Sequence, residues 1–309
     1  MKISVIVPVY NEEDSIDLLI DKINSVEKEM ESNTIEIILV DDGSTDKTKS
    51  IIIQRINISS NIILISLVRN YGQTAALTAG IDRADGEIIV TMDADLQNDP
   101  SDIPNLILQL SKGYDVVNGW RKNRKDNYFS RIIPSVFANW IISKISGVKL
   151  HDYGCTLKAY RKDILKDVKL YGEMHRLIPI YVAWQGGKVV EIPVRHHPRI
   201  HGKSKYGISR TFSVLADLIY LKYMEKHFLN PIHLFGGFAL LNFSLSGIAF
   251  LVMLYFKFVL KGSFIETPLP QLIVLFIMVG MLSLFMGFIA EILMRTYFES
   301  QGKKPYKIK

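Results

Sequence analysis

The chain has 309 residues, 48% of them hydrophobic, and a formal net charge of +6. This length and the positive mean hydropathy allow one large soluble domain together with a membrane segment. The charge favours anionic partners such as phosphates or phospholipid headgroups. The single cysteine, Cys155, excludes an intramolecular disulfide and is compatible with a reducing compartment.

The first 121 residues alternate strand and helix patterns. Apolar runs typical of buried strands are separated by apolar residues at helical spacing. We expect strands over residues 3–10, 35–40, 62–68, 87–92 and 114–119, and a small-residue helix over 73–83. This alternation favours βαβ units and a mainly parallel, Rossmann-like α/β sheet flanked by helices. The glycine-rich fingerprint of a simple dinucleotide-binding fold is missing after the first strand, where the chain continues Val9-Tyr10-Asn11-Glu12-Glu13.

Two carboxylates follow the fourth predicted strand. Side chains alternate between the faces of a strand, so we expect Asp93 and Asp95 on the same side. Such a pair suits Mg²⁺ or Mn²⁺, which prefer carboxylate oxygens and share their coordination with substrate phosphates. Ligands of open α/β sheets bind outside the carboxyl ends of the strands. The pair therefore predicts a metal–diphosphate site; the alternative is two solvated aspartates opening the turn at Asn98-Asp99-Pro100.

The second predicted strand ends in Asp41-Asp42-Gly43-Ser44-Thr45-Asp46, where Ser44 or Thr45 is suited to cap the next helix. With Val7-Pro8-Val9-Tyr10-Asn11-Glu12 and Asp93-Ala94-Asp95-Leu96-Gln97, this motif resembles the nucleotide-sugar half of family 2 glycosyltransferases with the A-type fold. The resemblance implies that the nucleoside pocket is lined by Pro8, Tyr10, Glu12 and Asp41. It also implies that the metal bridging the diphosphate is held by Asp93 and Asp95 with Gln97.

Two basic clusters follow residue 119. The first contains Arg121, Lys122, Arg124, Lys125 and Arg131, and the second contains Arg195, His196, His197, Arg199, His201, Lys203 and Lys205. Pro198 and Gly202 make the second cluster a loop, and such a cationic loop suits a phosphate monoester. A solvated surface is the alternative for any single residue. Zinc is disfavoured because no cysteine joins the histidines, and nucleic acid because aromatic residues are not interleaved.

Three further segments, His151–Lys158, Gly172–Arg176 and Arg199–Tyr206, are similar to the polyprenyl-phosphate branch of the same family. That branch includes dolichyl-phosphate mannose synthase and bacterial bactoprenol glucosyltransferases. The resemblance implies that the lipid phosphate is bound by Arg121, Arg131, Arg199 and Lys205. It also implies that Asp152 lies at the reacting centre, with Asp95 as the second catalytic residue. A phosphate monoester has a second pKa of about 6, so Asp152 is expected to take a residual proton or to orient the acceptor.

The last third of the chain has the pattern of a membrane protein. Apolar stripes with basic flanks predict amphipathic helices over residues 129–146 and 206–229, lying at the membrane interface or packed on the sheet. Residues 232–256 and 269–290 are apolar and uncharged, and each stretch can cross a hydrocarbon core of about 30 Å. The short connection predicts a hairpin with helices at 232–256 and 269–291. Basic residues outside the hairpin place the catalytic domain in the cytoplasm.

We therefore expect a cytoplasmic catalytic domain over residues 1–205, with a nucleotide-sugar half (1–121) and an acceptor half (122–205). A juxtamembrane helix (206–229), a transmembrane hairpin (230–294) and a basic tail (295–309) follow. The predicted enzyme is a metal-dependent glycosyltransferase of the cell membrane that moves a hexose to polyprenyl phosphate, in bacteria undecaprenyl phosphate. Inversion at the sugar is implied by the resemblance.

The sequence leaves the identity of the sugar-nucleotide donor and the functional class of the protein open in part. UDP-glucose is the first candidate donor, with UDP-N-acetylhexosamine, UDP-aminoarabinose and GDP-mannose as alternatives. A polysaccharide synthase is a second class, although Q-x-x-R-W and further spans are missing. A non-catalytic membrane protein that senses nucleotide sugars is a third. The sequence does not determine whether the chain forms a homo-oligomer, or whether the predicted cation is Mg²⁺ or Mn²⁺.

Overall fold

The computed structural model describes residues 1–30, 33–122, 133–165, 168, 170, 172–198, 216–220, 222–223, 230–263 and 267–301. The chain forms two compact units, Met1–Leu221 and Lys222–Lys309. Several residues predicted to bind anions lie outside the described residues, namely Arg124, Lys125, Arg131, Arg199, His201, Lys203 and Lys205.

The first unit is built on a seven-stranded sheet. Its strands are β1 (Lys2–Val9), β2 (Thr34–Asp41), β3 (Ile62–Ser66), β4 (Ile88–Thr91), β5 (Val116–Trp120), β6 (Lys158–Arg161) and β7 (Val189–Pro193). Their spatial order is β3-β2-β1-β4-β6-β5-β7, and β6 is antiparallel to both of its neighbours whereas the other pairs are parallel. The predicted mainly parallel α/β sheet is confirmed, and β6 and β7 are additions to it.

Helices cover both faces of this sheet. They are α1 (Ile16–Glu29), α2 (Thr48–Ile56), α3 (Gln73–Arg83), α4 (Ile103–Ser111), α5 (Ile133–Ser146), α6 (Lys162–Leu165) and α7 (Ile178–Trp184). Successive residues of β1 point to opposite faces: Val5 belongs to the core under α1 and α4, and Ile6 to the core under α3. Burial on both faces is the physical reason for the continuous apolar runs in the sequence.

The turn after β2 differs from the expectation. Neither Ser44 nor Thr45 caps α2, because the N-cap position is Lys47. Ser44 Oγ instead accepts a hydrogen bond from Asn11 N at 2.9 Å, and Thr45 N donates to Asn11 Oδ1 at 2.8 Å. These polar side chains therefore join the loops that follow β1 and β2, which an argument from local helix signals does not consider.

Helix α5 is amphipathic. Its Ile142 is buried in a cluster with Tyr153 and Leu177, whereas Val136, Phe137 and Trp140 are each more than half exposed. Leu218, within the helical residues 216–220, belongs to the same buried cluster. The interfacial location of this helix stays a prediction, and residues 129–132 of the predicted stripe lie outside the described residues.

The second unit contains two long helices, α8 (Pro231–Phe258) and α9 (Leu269–Gln301). Within each of the 28-residue segments Pro231–Phe258 and Leu269–Thr296, an 18-residue window has a mean hydropathy of 2.0 and 2.8, respectively, so both are long and apolar enough to cross a membrane. The helices pack antiparallel, with Ser283 Oγ donating to Phe235 O at 2.9 Å and Ser246 Oγ to Ile273 O at 3.3 Å. Helix α9 continues past the predicted end at residue 291, where Arg295 Nη2 pairs with Glu291 Oε1 at 3.1 Å.

The antiparallel strand β6 begins with a buried lysine. Lys158 is 2% exposed, and its Nζ donates to Tyr153 O at 3.1 Å and to Arg176 O at 3.3 Å. Burial lowers the pKa of Lys158 from 10.5 to about 8. The folded chain therefore binds fewer protons at this residue than the unfolded chain does between these two values, so this group makes stability rise with pH across that window.

We expect the thermal unfolding midpoint of the wild type to rise relative to that of Lys158→Met between about pH 7.5 and about pH 9.5. Methionine has a similar volume and no charge, and all other titrating groups are common to both proteins and cancel. The measurement is a pair of thermal melts at each pH in the same detergent. A difference between the two midpoints that is independent of pH would contradict the assignment.

Candidate active site

The carboxyl ends of the parallel strands meet at one edge of the sheet. Because β6 is antiparallel, the segment that leads into it lies at the same edge. This is where ligands of open α/β sheets bind. The predicted site residues at this edge are Tyr10 after β1, Asp41 at the end of β2, Asp93 and Asp95 after β4, Arg121 after β5 and Asp152 before β6.

The acidic segment keeps the alternation of a strand after β4 itself has ended. Met92, Ala94 and Leu96 are buried, whereas Asp93, Asp95 and Gln97 are partly exposed. Asp95 Oδ1 also accepts a hydrogen bond from Gln97 N at 3.1 Å. The two carboxylates thus share the more open side of the segment.

A glutamine orients the first of these carboxylates. Gln73, the first residue of α3, donates from Nε2 to Asp93 Oδ1 at 2.7 Å. The turn before α3 is held by Asp42, which accepts from Tyr71 N at 2.7 Å and from Gly72 N at 2.9 Å. Neither Gln73 nor Asp42 is among the residues predicted for the site, and a contact between residues 73 and 93 leaves no local sequence signal.

The donor set fits Mg²⁺ or Mn²⁺. Asp93 and Asp95 supply hard oxygen ligands, and the described part of the chain contains no group of three or more His, Cys, Asp or Glu that could hold a metal. Mg²⁺ is typically held by one or two carboxylates together with substrate phosphates. The pair is therefore suited to a cation whose coordination is completed by the oxygens of a bound diphosphate.

The residues predicted to line the nucleoside pocket lie at the ends of the neighbouring strands β1 and β2 and in the loop after β1. Val9 and Asp41 are partners in the register of these strands. Asp41 is 2% exposed and accepts from Ser44 N at 2.9 Å, so it shapes the turn. Glu12 accepts from Ser15 Oγ at 2.8 Å, and Pro8 and Tyr10 are partly exposed.

Arg121 and Asp152, to which the sequence assigns separate roles, form one ion pair. Arg121 Nε donates to Asp152 Oδ2 at 2.7 Å and Nη2 to Oδ1 at 2.9 Å, and both side chains are largely buried. Burial alone would lower the pKa of Arg121, but the Asp152 carboxylate outweighs it and raises that pKa above its usual value. Gly154 N also donates to Asp152 Oδ1 at 3.1 Å. The carboxylate is thus held in a fixed orientation.

The start of the second basic cluster is hydrogen-bonded to the acidic segment. His197 N donates to Gln97 O at 2.8 Å, and Asn98 and His196 form an antiparallel bridge. Arg199 and Lys205 lie outside the described residues, which end here at Pro198.

Two carboxylates near the acidic segment reinforce this attachment. Asp102 accepts from Arg195 N at 2.7 Å and from Arg195 Nε at 3.0 Å, and Asp99 Oδ2 lies 2.9 Å from His197 Nε2. Burial would raise the pKa of Asp99, but hydrogen bonds from Ser101 and His197 lower it to about 2. Asp99 thus stays ionised and paired at neutral pH.

Comparisons with known proteins agree with this architecture. The family described as Glycosyl transferase family 2 matches residues 4–169. A dodecaprenyl-phosphate galacturonate synthase from Rhizobium johnstonii is 42% identical, covering 100% of this chain and 92% of that protein. An undecaprenyl-phosphate 4-deoxy-4-formamido-L-arabinose transferase from Proteus mirabilis is 35% identical, covering 99% and 93%.

Among solved structures, glucosyl-3-phosphoglycerate synthase from Mycobacterium tuberculosis in complex with Mn²⁺, UDP and phosphoglyceric acid has a TM-score of 0.57. It is 18% identical and covers 74% of this chain and 81% of that chain. This likeness confirms the predicted A-type fold. The full-length relatives confirm the resemblance to the polyprenyl-phosphate branch. The chain therefore belongs to glycosyl transferase family 2.

Proposed function

We propose that this chain moves a sugar from a nucleotide diphosphate sugar to the phosphate of a polyprenol, with a divalent cation held by Asp93 and Asp95. The observation that supports this most is the attachment of the basic loop to the acidic segment, through His197 N and Gln97 O at 2.8 Å. The segment for which the sequence predicts a loop suited to a phosphate monoester thereby follows a point beside the site suited to a metal diphosphate. The names of the full-length relatives support the class of acceptor.

The donor half holds the nucleotide sugar at the carboxyl ends of β1, β2 and β4. Asp93 and Asp95, with Gln97, would hold the cation, and Gln73 keeps the Asp93 carboxylate in one orientation. The cation, when bound, neutralises charge that builds up on the departing diphosphate. The Asp41 turn and the Asn11–Ser44 contact give the nucleoside pocket a fixed wall.

The acceptor half needs little base catalysis. A phosphate monoester with a second pKa of about 6 is largely dianionic at neutral pH and is a competent nucleophile. Asp152 is bound to Arg121 by two hydrogen bonds, so we assign it the task of orienting this arginine. A guanidinium has N–H donors on all three nitrogens. We assign the N–H groups on Nη1 of Arg121 to the acceptor phosphate. Alignment of the two substrates then supplies much of the catalysis.

The acceptor class matches the membrane character of the chain. A long polyprenol stays in the bilayer and presents its phosphate at the surface. Helices α8 and α9 are long and apolar enough to span it. We propose that the catalytic domain lies on the cytoplasmic side, where nucleotide sugars are made, as the distribution of basic residues predicts.

The donor sugar is tested directly. Purified full-length protein is incubated with undecaprenyl phosphate and labelled UDP-glucose, UDP-linked galacturonate, UDP-linked 4-deoxy-4-formamido-L-arabinose, a UDP-N-acetylhexosamine or GDP-mannose, with and without chelator. We expect label to enter the organic phase from one UDP-sugar and only when a divalent cation is present. The relatives act with different sugars, so UDP-glucose is one member of this panel. Absence of transfer from every donor would contradict the proposal.

The acidic pair is expected to be essential for turnover. Asp93→Asn and Asp95→Asn should each lower kcat by about a hundredfold or more, because a bound cation contributes several kcal/mol to stabilising the leaving group. The control is Asp85→Asn, an exposed carboxylate beyond the other end of β4, which should retain wild-type kcat. Near-normal turnover in Asp93→Asn would exclude the pair as the cation site.

Gln73 is expected to support cation binding without touching the cation. Gln73→Ala should weaken Mn²⁺ affinity in the presence of UDP by about tenfold to a hundredfold, as is typical when a residue that orients a metal ligand is removed. The measurement is free Mn²⁺ by electron paramagnetic resonance, which does not depend on activity. Gln54→Ala, at an exposed position of α2, is the control. Equal Mn²⁺ affinity in both variants and the wild type would refute the role of Gln73.

A further inference from the structure

An aromatic stack beside the Arg121–Asp152 pair has no part in the mechanism above. Trp120, the last residue of β5, and His151 have ring centroids 4.3 Å apart and an interplanar angle of 17°. Lys122 Nζ lies 5.5 Å from the centroid of the Trp120 ring. The side chain of His151 is 70% exposed. An imidazole and an ammonium group are therefore presented together at the edge of the sheet that carries the acidic pair.

A buried glutamate fixes the imidazole. Glu191 Oε2 lies 2.8 Å from His151 Nδ1 and accepts from His151 N at 2.9 Å, and its other oxygen accepts from Asp152 N at 3.0 Å. The Glu191 side chain is 8% exposed. A carboxylate only accepts hydrogen bonds, so the shared hydrogen belongs to Nδ1. Nε2 is then the ring nitrogen available to a ligand, to which the imidazolium form donates a hydrogen bond, and the stack with Trp120 sets the plane of the ring.

The same histidine is attached to the helix that exposes apolar side chains. Asn139 Nδ2, on α5, donates to His151 O at 2.7 Å. Phe137 and Trp140, within one turn of Asn139 on α5, are exposed. His151 is thus bonded to α5 and adjacent in sequence to Asp152. A phosphate tethered to a membrane lipid and approaching along α5 would meet His151 close to the Arg121–Asp152 pair.

We propose that His151, as the imidazolium donating from Nε2, and Lys122 Nζ bind the phosphate monoester of the acceptor, with Trp120 and Glu191 positioning the two side chains. This proposal rests on the proposed function. Two of the three guanidinium nitrogens of Arg121 already donate hydrogen bonds to Asp152, so further donors are needed to bind a dianion. Hydrogen bonds from charged groups to phosphate are short and strong, which suits this task. The other anion at this edge is the donor's diphosphate, and the experiment separates the two.

The test uses the full-length protein in detergent and the variants His151→Phe and Lys122→Ala. Phenylalanine keeps a ring on Trp120 but removes both nitrogens. We expect each variant to raise KM for undecaprenyl phosphate by about tenfold, with KM for the nucleotide sugar and kcat unchanged. His151→Gln, which keeps an N–H group on the side chain, should recover part of the affinity. Lys188→Ala, an exposed lysine before β7 at the opposite edge, is the matched control.

Equilibrium binding of undecaprenyl phosphate to the same proteins gives a readout that does not need turnover. Weaker binding in His151→Phe and Lys122→Ala supports the proposal, provided that their thermal unfolding midpoints equal that of the wild type. Unchanged acceptor binding in both, or an effect on the nucleotide sugar alone, overturns it. Failure of the proposed function would look different: the wild type would bind the lipid phosphate and transfer no sugar from any donor.

Discussion

The hydrogen bond from His197 N to Gln97 O is the constraint on which the rest of this site depends. It joins two segments about a hundred positions apart, one carrying the acidic pair and the other the first residues of the second basic cluster. Asp99 and Asp102 strengthen the junction through His197 and Arg195. The proposed metal-diphosphate site and the start of the predicted basic segment are thereby held together, which is what alignment of two substrates requires.

The polar groups around the site are arranged so that each carboxylate has a defined orientation. Asp152 is paired with Arg121, Glu191 accepts from backbone and imidazole, and Asp93 accepts from Gln73. Buried charges are costly unless they are paired and hydrogen-bonded, so these contacts hold the site in one geometry. Asp93 and Asp95 remain partly exposed on one side. Their adjacent negative charges are the electrostatic reason for proposing a cation site at this edge.

Much of this arrangement could be predicted from the sequence because it follows from periodicity. The buried strands are continuous apolar runs, α3 begins and ends as expected, and parallel strands bring their carboxyl ends together. The parts that could not be predicted depend on contacts distant in sequence. Strand β6 starts with Lys158. A lysine is normally predicted at the surface, but this one is buried, and its ammonium group donates hydrogen bonds to two backbone carbonyl groups. The Gln73–Asp93 contact and the Arg121–Asp152 pair have no local pattern either.

We propose that the cation and the acceptor phosphate occupy one continuous site. A crystal structure of the full-length protein bound to UDP, Mn²⁺ and a polyprenyl phosphate would locate both. We expect Mn²⁺ on Asp93 and Asp95, and the lipid phosphate against Arg121, with an oxygen about 3–3.5 Å from the place of the sugar's reacting carbon. Mn²⁺ bound away from both aspartates, or a lipid phosphate held on a different face of the sheet, would contradict it.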